Sequence, residues 1–198
     1  IGLLLLSCSL CMSCVQTDKK KALIDDDFLV AEQHLSNQLK AVPEPTVYPR
    51  TIGKDGKLIA TPKNDWTEGF YPGCLWYIYE HNREENWKQS AIKWTEALEP
   101  MKKLTSHHDI GFLIYCSFGN AYRLTGKEEY KDVIIEAANS LTTRFSEVTG
   151  CIKSWNYRKA WNGRDEWFYP VIIDNMMNLE LLYFASKVTG DTRYAKIA

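Results

Sequence analysis

The sequence predicts an all-α protein built from repeated pairs of helices. Hydrophobic residues recur at helical spacing from residue 25 onward, whereas no segment shows the convincing alternation that is typical of a strand. Gly126 and Gly190 stand where one helix ends and the next begins. Helices that are apolar nearly all round alternate with amphipathic helices. An (α/α) toroid or a solenoid requires inner and outer layers that alternate in this way.

Composition and charge exclude some classes of protein. Hydrophobic residues make up 45% of the 198 residues, which suits one globular domain with a substantial core. The 24 Lys and Arg residues nearly balance the 25 Asp and Glu residues, so we predict no nucleic-acid partner. The seven Trp and eleven Tyr residues leave two interpretations open, which are aromatic faces that cover sugar rings and core packing.

Residues 1–24 are predicted to be the remnant of a secretion signal followed by a polar tether. The apolar run at residues 1–6 is shorter than the ~20 residues of a membrane span. Cysteines and then a Lys-rich polar run follow it, an order typical of bacterial lipoproteins. We predict lipidation at Cys14, with Cys8 as the alternative. The protein would then be periplasmic or anchored to the outer membrane, and only the lipid would contact the membrane.

Residues 25–198 are predicted to hold the helical pairs. A first helix covers residues 25–41 and stops before Pro43, and prolines and glycines then punctuate residues 42–64 too densely for regular structure. Inner helices are predicted at about 69–82, 109–124 and 171–188, and outer helices at about 85–103 and 128–145. Ala198 falls early in a further outer helix without a stop signal, so we expect a longer natural chain that is truncated here. Three cysteines in this region are predicted to be buried small hydrophobes: Cys74, Cys116 and Cys151.

The repeat places two aspartates at equivalent positions. Each outer helix carries an aromatic residue early in its sequence, namely Trp87, Tyr130 or Tyr194. Roughly 20 residues before these markers stand Trp66, Asp109 and Asp174, each at the start of an inner helix. If the inner helices run in the same direction, Asp109 and Asp174 converge at one end of the central cavity. The alternative interpretation is that both aspartates only cap their helices.

The residues around the aspartates suit an acidic sugar. His107 and His108 precede Asp109, and a loop over 155–169 that is rich in Trp, Tyr, Lys and Arg precedes Asp174. Aromatic faces and cationic donors favour a sugar acid, although a packed surface loop would have the same composition. The histidines have no further His or Cys at ligand spacing, so no metal site is predicted.

At these residues the sequence resembles the unsaturated glucuronyl hydrolases, glycoside hydrolase family 88. The resemblance is carried by residues 66–80, 107–126, 154–158 and 169–191. It implies an (α/α)6 barrel, a six-hairpin toroid of which about the N-terminal half is present. It also implies removal of the unsaturated (C4=C5) uronic acid at the non-reducing end of lyase-generated oligosaccharides, without a metal or organic cofactor. Glycosaminoglycan-derived disaccharides are the first substrates expected.

The resemblance implies that Asp174 is the general acid and base and that Asp109 is its essential partner. The reaction would be hydration of the double bond. The substrate-binding candidates are Trp66, Tyr71, His108, Trp155, Arg158 and Asn175. Tyr71 stands where family members often have Trp. We expect this chain alone to be inactive, since further substrate-gripping residues belong to the second half of the family's barrel.

Two other functions would fit the same sequence. An unsaturated rhamnogalacturonyl hydrolase would share the barrel and the hydration chemistry but act on a pectin-derived substrate. A non-catalytic helical-repeat lipoprotein would bind glycans through the aromatic loop alone. Unsaturated uronates absorb in the ultraviolet through the C4=C5 bond, and only an enzyme would bleach that absorbance.

Overall fold

The computed structural model describes residues 2–198, with side chains from residue 19 onward, in two compact units, Ile1–Pro43 and Glu44–Ala198. The first unit contains helix α1 (Gly2–Ala41), which ends before Pro43 as predicted. The helix predicted at 25–41 is therefore the end of a longer one, and the run interpreted as a polar tether is helical. A salt bridge of 3.4 Å from Lys21 to Asp25 spans one turn there. Cys14 lies outside the residues whose side chains are described.

Within the described part of the chain, no helix combines the length and the apolar character needed to cross a bilayer.

The second unit begins with an antiparallel hairpin of β1 (Tyr48–Ile52) and β2 (Leu58–Thr61). The prediction that residues 42–64 lack regular structure is wrong. The Gly53 amide donates to the Lys57 carbonyl at 2.8 Å and closes the turn. The pairing register shifts next to Pro49, where a proline can be accommodated without a ladder amide. The residues taken as breakers thus form the turn and the bulge of the hairpin.

The helical pairs follow in the predicted order. Their elements are α2 (Phe70–Asn82), α3 (Glu85–Glu96) with a 3₁₀ turn at Glu99–Lys103, a π-helical segment at Gly111–Gly119 that continues into α4 (Asn120–Thr125), α5 (Glu128–Thr142), α6 (Asn175–Asn178), α7 (Glu180–Thr189) and α8 (Thr192–Ile197). The last predicted inner helix is shorter than expected, since it begins at Asn175. The mostly helical architecture confirms the all-α fold class.

The loop between α5 and α6 holds two short hairpins that the sequence did not predict. One pairs β3 (Phe145–Ser146) with β4 (Cys151–Ile152), and the other pairs β5 (Arg158–Lys159) with β6 (Glu166–Trp167). Strands of two residues are too short to show an alternating pattern, because alternation needs several residues to be recognised. These hairpins fold the aromatic loop back toward the start of α6.

The predicted turns between paired helices are present. Gly126 ends α4 and Gly190 ends α7, both with a left-handed backbone (φ 69° and 74°). The aromatic markers of the outer helices are core residues, since Trp87, Tyr130 and Tyr194 are each at most 5% exposed. Each pair is therefore locked by a buried ring close to its turn.

Two glycines let the inner helices approach one another closely. A Cβ at Gly69 would overlap the backbone carbonyl oxygens of Phe112 and Leu113, and a Cβ at Gly111 would lie 2.7 Å from the Asn178 Cα. Because neither glycine carries a side chain, the starts of α2, the π-helical segment and α6 lie side by side. This contact positions the site described below.

The prediction for the three cysteines is wrong. Cys74 is exposed, and Cys116 and Cys151 are half-buried. Cys74 and the half-exposed Tyr77 lie on the side of α2 opposite the residues that pack in the core, such as Leu75. An apolar face on an inner helix is thus not always a buried face in this structure, and composition alone does not distinguish the two.

Candidate active site

Three ionisable side chains meet where the π-helical segment and α6 begin. The Nε2 atom of His108 lies 3.3 Å from Oδ1 of Asp109 and 3.6 Å from Oδ1 of Asp174. His108 is fully buried and Asp109 is nearly so, whereas the Asp174 side chain is 39% exposed. The structure therefore brings together the two aspartates from separate repeats, with Asp174 on the open side.

The aspartates are not simple helix caps. Asp174 precedes α6, but its side chain makes no capping hydrogen bond within the described structure. Asp109 lies one residue before Ile110, the residue that caps the π-helical segment. Its backbone amide donates to Nδ1 of His107 at 3.2 Å, and its Oδ2 lies 3.2 Å from the same nitrogen. Both carboxylates thus face the cluster.

The loop before α6 holds the histidines in place. The His108 amide donates to the Ser154 carbonyl at 3.0 Å, and His107 pairs with Trp155 in a single antiparallel bridge. Ser154 is itself buried, and its hydroxyl accepts a hydrogen bond from the Ile172 amide at 3.1 Å. The segment just before Asp174 is thereby fastened to the segment just before Asp109.

Asn175 was predicted to bind substrate, but its side chain is engaged within the protein. Its Oδ1 lies 3.0 Å from Nδ1 of His108, and its Nδ2 donates to the Ile152 carbonyl at 3.1 Å. Asn175 is 8% exposed and His108 is 0% exposed. Both residues therefore belong to the cluster as its inner support.

Sequence reasoning missed Arg144, a buried arginine below this loop. Its guanidinium donates to the carbonyls of Thr105 and Lys153 and to Oδ1 of Asn156. Burial lowers the pKa of Arg144, and the negative charge of Asp109 acts in the opposite direction with a smaller effect. An arginine after an outer helix usually points to solvent, so the sequence gives no signal for this one.

The surroundings keep the carboxyl of Asp174 protonated to a higher pH than an ordinary aspartate. Its pKa is raised, first by burial and further by the negative charge of Asp109, while His108 and the Asn175 amide act in the opposite direction. A carboxyl that is partly exposed and retains its proton can give that proton to a bound molecule.

Aromatic rings flank the cluster on the loop side. The Trp155 ring lies 5.8 Å from the His108 ring, between centroids. The Arg158 guanidinium lies 4.9 Å from the centroid of Trp155 and 4.3 Å from that of Trp161. Trp155 thus lies beside the cluster, and Arg158 contacts it together with the exposed Trp161, which was not among the substrate-binding candidates.

A second aromatic group lies at the start of α2. Trp66 is 43% exposed, and its ring centroid is 6.1 Å from that of Phe70 and 6.0 Å from that of Phe112. Since Phe112 lies three residues after Asp109, Trp66 stands at the same end of the inner helices as the cluster.

Tyr71 does not join the site. It is 6% exposed, and its ring packs edge-on against Trp94 with centroids 4.7 Å apart. The sequence suggested an aromatic platform here, but α2 turns this residue toward α3. Because it is buried, the Tyr71 ring cannot contact a substrate.

The cluster is also compact enough to be considered for a metal ion. Ligand atoms from His108, Asp109 and Asp174 all lie within 4.8 Å of one another, whereas the sequence predicted no metal site. Spacing along the chain could not reveal this set, because Asp174 comes from a distant repeat. We treat the three as acid–base groups, since each is placed to exchange protons with another.

Removal of metal ions is expected to leave activity unchanged. The complete protein would be dialysed against a strong chelator and assayed on the substrates that the family resemblance implies. Acid–base chemistry by carboxyls needs no Lewis acid. A loss of activity that zinc or magnesium restores would instead identify the three side chains as metal ligands.

Comparison with known proteins identifies relatives, although no family model matches this chain. An unsaturated glucuronyl hydrolase from Formosa agariphila is 43% identical over 153 residues, which are 76% of this chain and 37% of that protein. An unsaturated chondroitin disaccharide hydrolase from Streptococcus agalactiae is 36% identical over 142 residues, or 68% of this chain and 33% of that protein. A crystal structure of an unsaturated glucuronyl hydrolase specific for heparin superposes with a TM-score of 0.78 at 37% identity, covering 87% of this chain and 44% of that one.

The chain therefore spans about two fifths of the relatives that it matches. This extent is consistent with the N-terminal half predicted from the sequence, and the paired inner and outer helices are those of the α/α barrel of these hydrolases. By its sequence and its fold together, the chain belongs to the unsaturated glucuronyl hydrolase family.

Proposed function

We propose that the complete protein is a glycosidase that removes the unsaturated uronic acid from the non-reducing end of lyase-generated oligosaccharides. The observation that carries this proposal is the meeting of Asp109, His108 and a partly exposed Asp174 of raised pKa. A carboxyl that keeps its proton to a higher pH than an ordinary aspartate and is open to a substrate is what protonation of an enol ether requires.

The proposed reaction is hydration of the C4=C5 bond. The Asp174 carboxyl gives its proton to C4, which leaves positive charge shared between C5 and the ring oxygen. Water adds at C5 and gives its proton to the Asp174 carboxylate, which restores the acid. The resulting hemiketal opens to a C5 ketone, and the hemiacetal at C1 then releases the aglycone alcohol. One water molecule is consumed, and no cofactor is needed.

The residues around Asp174 support an acidic substrate. Arg158 makes cation–π contacts with two tryptophan rings, of which Trp155 lies beside the cluster. Such a guanidinium can meet the carboxylate of a uronic acid or a sulfate, and the rings can cover sugar faces. Because the names of two relatives refer to chondroitin disaccharide and to heparin, we propose a glycosaminoglycan-derived disaccharide as the substrate.

The test is an ultraviolet assay of the complete protein. Disaccharides produced by chondroitin, hyaluronan, heparin and rhamnogalacturonan lyases would be supplied separately, and the absorbance of the C4=C5 bond would be followed. We expect bleaching with at least one glycosaminoglycan disaccharide. Bleaching with only the pectin-derived product would support the rhamnogalacturonyl alternative. Tight binding without bleaching would show a glycan-binding protein instead of an enzyme.

Replacement of Asp109 by asparagine is expected to change the pH profile as well as the rate. The negative charge of Asp109 helps to raise the pKa of Asp174, so its removal lowers that pKa. Asp174 then loses its proton at a lower pH, and the alkaline limb of kcat/KM moves to lower pH. Burial remains as the largest cause that raises the pKa, while His108 and the Asn175 amide still act against it. An unmoved alkaline limb would contradict the proposed coupling.

We also propose that the mature protein carries a lipid on Cys14 and faces the periplasm or the outer surface. The support is the order of an apolar run, a cysteine and a Lys-rich polar segment in residues 1–21. Incorporation of a labelled fatty acid should disappear with Cys14→Ser and persist with the matched Cys11→Ser. If only Cys8→Ser removes the label, the lipidated residue is Cys8, and if no cysteine variant removes it, the anchor proposal fails.

A further inference from the structure

The side chain of Asn175 links the candidate acid–base cluster to a backbone carbonyl. It is buried between His108 and Ile152, directly after Asp174 in the chain. No reaction step proposed above uses Asn175. Its position between the histidine and a fixed acceptor has a consequence for the protons of the cluster.

The hydrogen bonds define which way the Asn175 amide points. The Ile152 carbonyl can only accept a hydrogen bond, so the atom of Asn175 that faces it at 3.1 Å is the amide nitrogen. The amide oxygen therefore faces Nδ1 of His108 at 3.0 Å. A flipped amide would place its oxygen against the Ile152 carbonyl oxygen and its two N–H groups against the His108 ring. The orientation thus follows from chemistry and not from a choice between similar atoms.

The oxygen of Asn175 in turn determines the tautomer of His108. Because this oxygen can only accept, Nδ1 of His108 carries a proton. In the neutral ring the other nitrogen, Nε2, then holds a lone pair. Nε2 is buried and has no hydrogen-bond partner among the described residues, and Oδ1 of Asp174 is in the same situation. The two atoms lie 3.6 Å apart, and Oδ1 of Asp109 lies 3.3 Å from Nε2.

Three atoms that all bear lone pairs repel one another unless a proton lies among them. A buried, unpaired carboxylate or imidazole nitrogen also carries a desolvation cost. The repulsion is smallest when His108, Asp109 and Asp174 hold one proton together, either on Nε2 or on one carboxyl. Two other charged or titratable groups face Asp109, namely His107, with Nδ1 3.2 Å from Oδ2, and the buried Arg144.

We propose that Asn175 is a positioning residue that holds His108 with its proton on Nδ1. Nε2 then faces both aspartates, and the three side chains together hold the proton that is used in catalysis. The proposal rests on the proposed function, in which Asp174 gives this proton to the substrate. After Asp174 has released its proton, Nε2 and Asp109 stabilise the site until water supplies another. The geometry argues against direct substrate contact by Asn175, since both polar atoms of its amide are used inside the protein.

The first test is nuclear magnetic resonance of the histidine rings in the complete protein labelled with ¹⁵N. The shifts of Nδ1 and Nε2 distinguish a protonated nitrogen from a bare one, and His108→Asn identifies the signal by removing it. We expect Nδ1 of wild-type His108 to be protonated throughout the pH range in which the protein is folded. A neutral ring with its proton on Nε2 and a bare Nδ1 would overturn the proposal without any variant of Asn175.

The second test replaces Asn175 by leucine, which has a similar size but no polar atoms. We expect the His108 signal to move toward the tautomer with the proton on Nε2. The matched control is Asn178→Leu, since Asn178 is also buried on α6 but accepts from the Phe112 amide at 2.9 Å. The control should lose stability yet keep the wild-type tautomer. If Asn175→Leu keeps the wild-type tautomer, Asn175 is not the residue that fixes it.

The third test separates positioning from substrate binding. The wrong tautomer of a catalytic histidine costs up to ~10⁴-fold in serine proteases. Because His108 here assists another acid, we expect Asn175→Leu to lower kcat at least ~10-fold, with KM changed less than about threefold. A raised KM with unchanged kcat would show that Asn175 binds substrate, and the proposal would be wrong. If the wild-type protein bleaches no substrate, the proposed function fails, while the resonance experiments still decide the tautomer.

Discussion

Replacement of Asp174 by asparagine is expected to lower turnover of an unsaturated disaccharide at least ~100-fold in the complete protein. Asparagine has nearly the same shape, but it cannot give a proton to C4 or take one from water. The Asp174 side chain makes no capping hydrogen bond in the described structure and is 39% exposed, so folding should survive the change. Substrate binding should be largely retained, since the aromatic and cationic residues beside the site are untouched.

The measurement is the initial rate of ultraviolet bleaching, together with the dissociation constant of the substrate for the variant. Asp165→Asn is the matched control, because Asp165 lies in the nearby exposed loop and accepts a hydrogen bond from Asn162 at 2.7 Å. The control should keep its activity. Loss of a catalytic acid usually lowers turnover at least ~100-fold. If Asp174→Asn folds and retains more than about a tenth of wild-type turnover, Asp174 is not the proton donor.

A large effect on stability is expected from Gly69→Ala. The added methyl group would overlap the carbonyl oxygens of Phe112 and Leu113, which are backbone atoms and cannot rotate away. The start of α2 must then separate from the π-helical segment, with an expected loss of about 3 kcal/mol or more in the free energy of unfolding. Urea denaturation, or loss of soluble protein in the extreme case, would measure it.

Gly119→Ala provides the comparison for this prediction. Gly119 has a helical backbone (φ −60°, ψ −47°), and an added Cβ would meet the Tyr115 ring at 3.0 Å, a side chain that can shift. The gain in helix propensity should offset much of that contact, so we expect a change within about 1 kcal/mol. A Gly69→Ala protein as stable as the Gly119→Ala protein would show that the inner helices separate without penalty.

Much of the fold could be predicted from the sequence, because its signals are local. Helical periodicity and the turn glycines located most helix ends within a few residues, and repeat spacing indicated that Asp109 and Asp174 would converge. The hairpins were missed for opposite reasons. Pro49 and Gly53 are residues typical of irregular chain, so the first hairpin was not recognised. The strands of the other two hairpins contain two residues each, which is too few to show an alternating pattern.

The interior of the site could not be predicted, because it depends on contacts between distant segments. His108 and Asn175 have the composition of substrate-binding residues, yet their roles follow from a hydrogen bond between positions 67 residues apart. Tyr71 and Arg144 are further cases. An aromatic residue in a conspicuous motif is turned into the core, and an arginine at a helix end is buried under the site. Residue type indicates the available chemistry, while burial decides whether a substrate can reach it.

The π-helical segment Gly111–Gly119 has a consequence for how this region tolerates changes in chain length. A π-turn holds more residues than an α-turn, and here the Phe112 amide donates outside its own helix, to Asn178. Deletion of one residue in this segment could be absorbed by conversion to an ordinary α-helix, so the protein could still fold. Because a π-turn holds one residue more than an α-turn, this conversion leaves the residues on either side in their original phase, and Asp109 would still face Asp174. A deletion in an ordinary α-helix would instead rotate one flank by ~100° about the helix axis relative to the other. The Gly111–Gly119 segment is therefore a place where the chain can lose one residue and keep its pair of carboxylates.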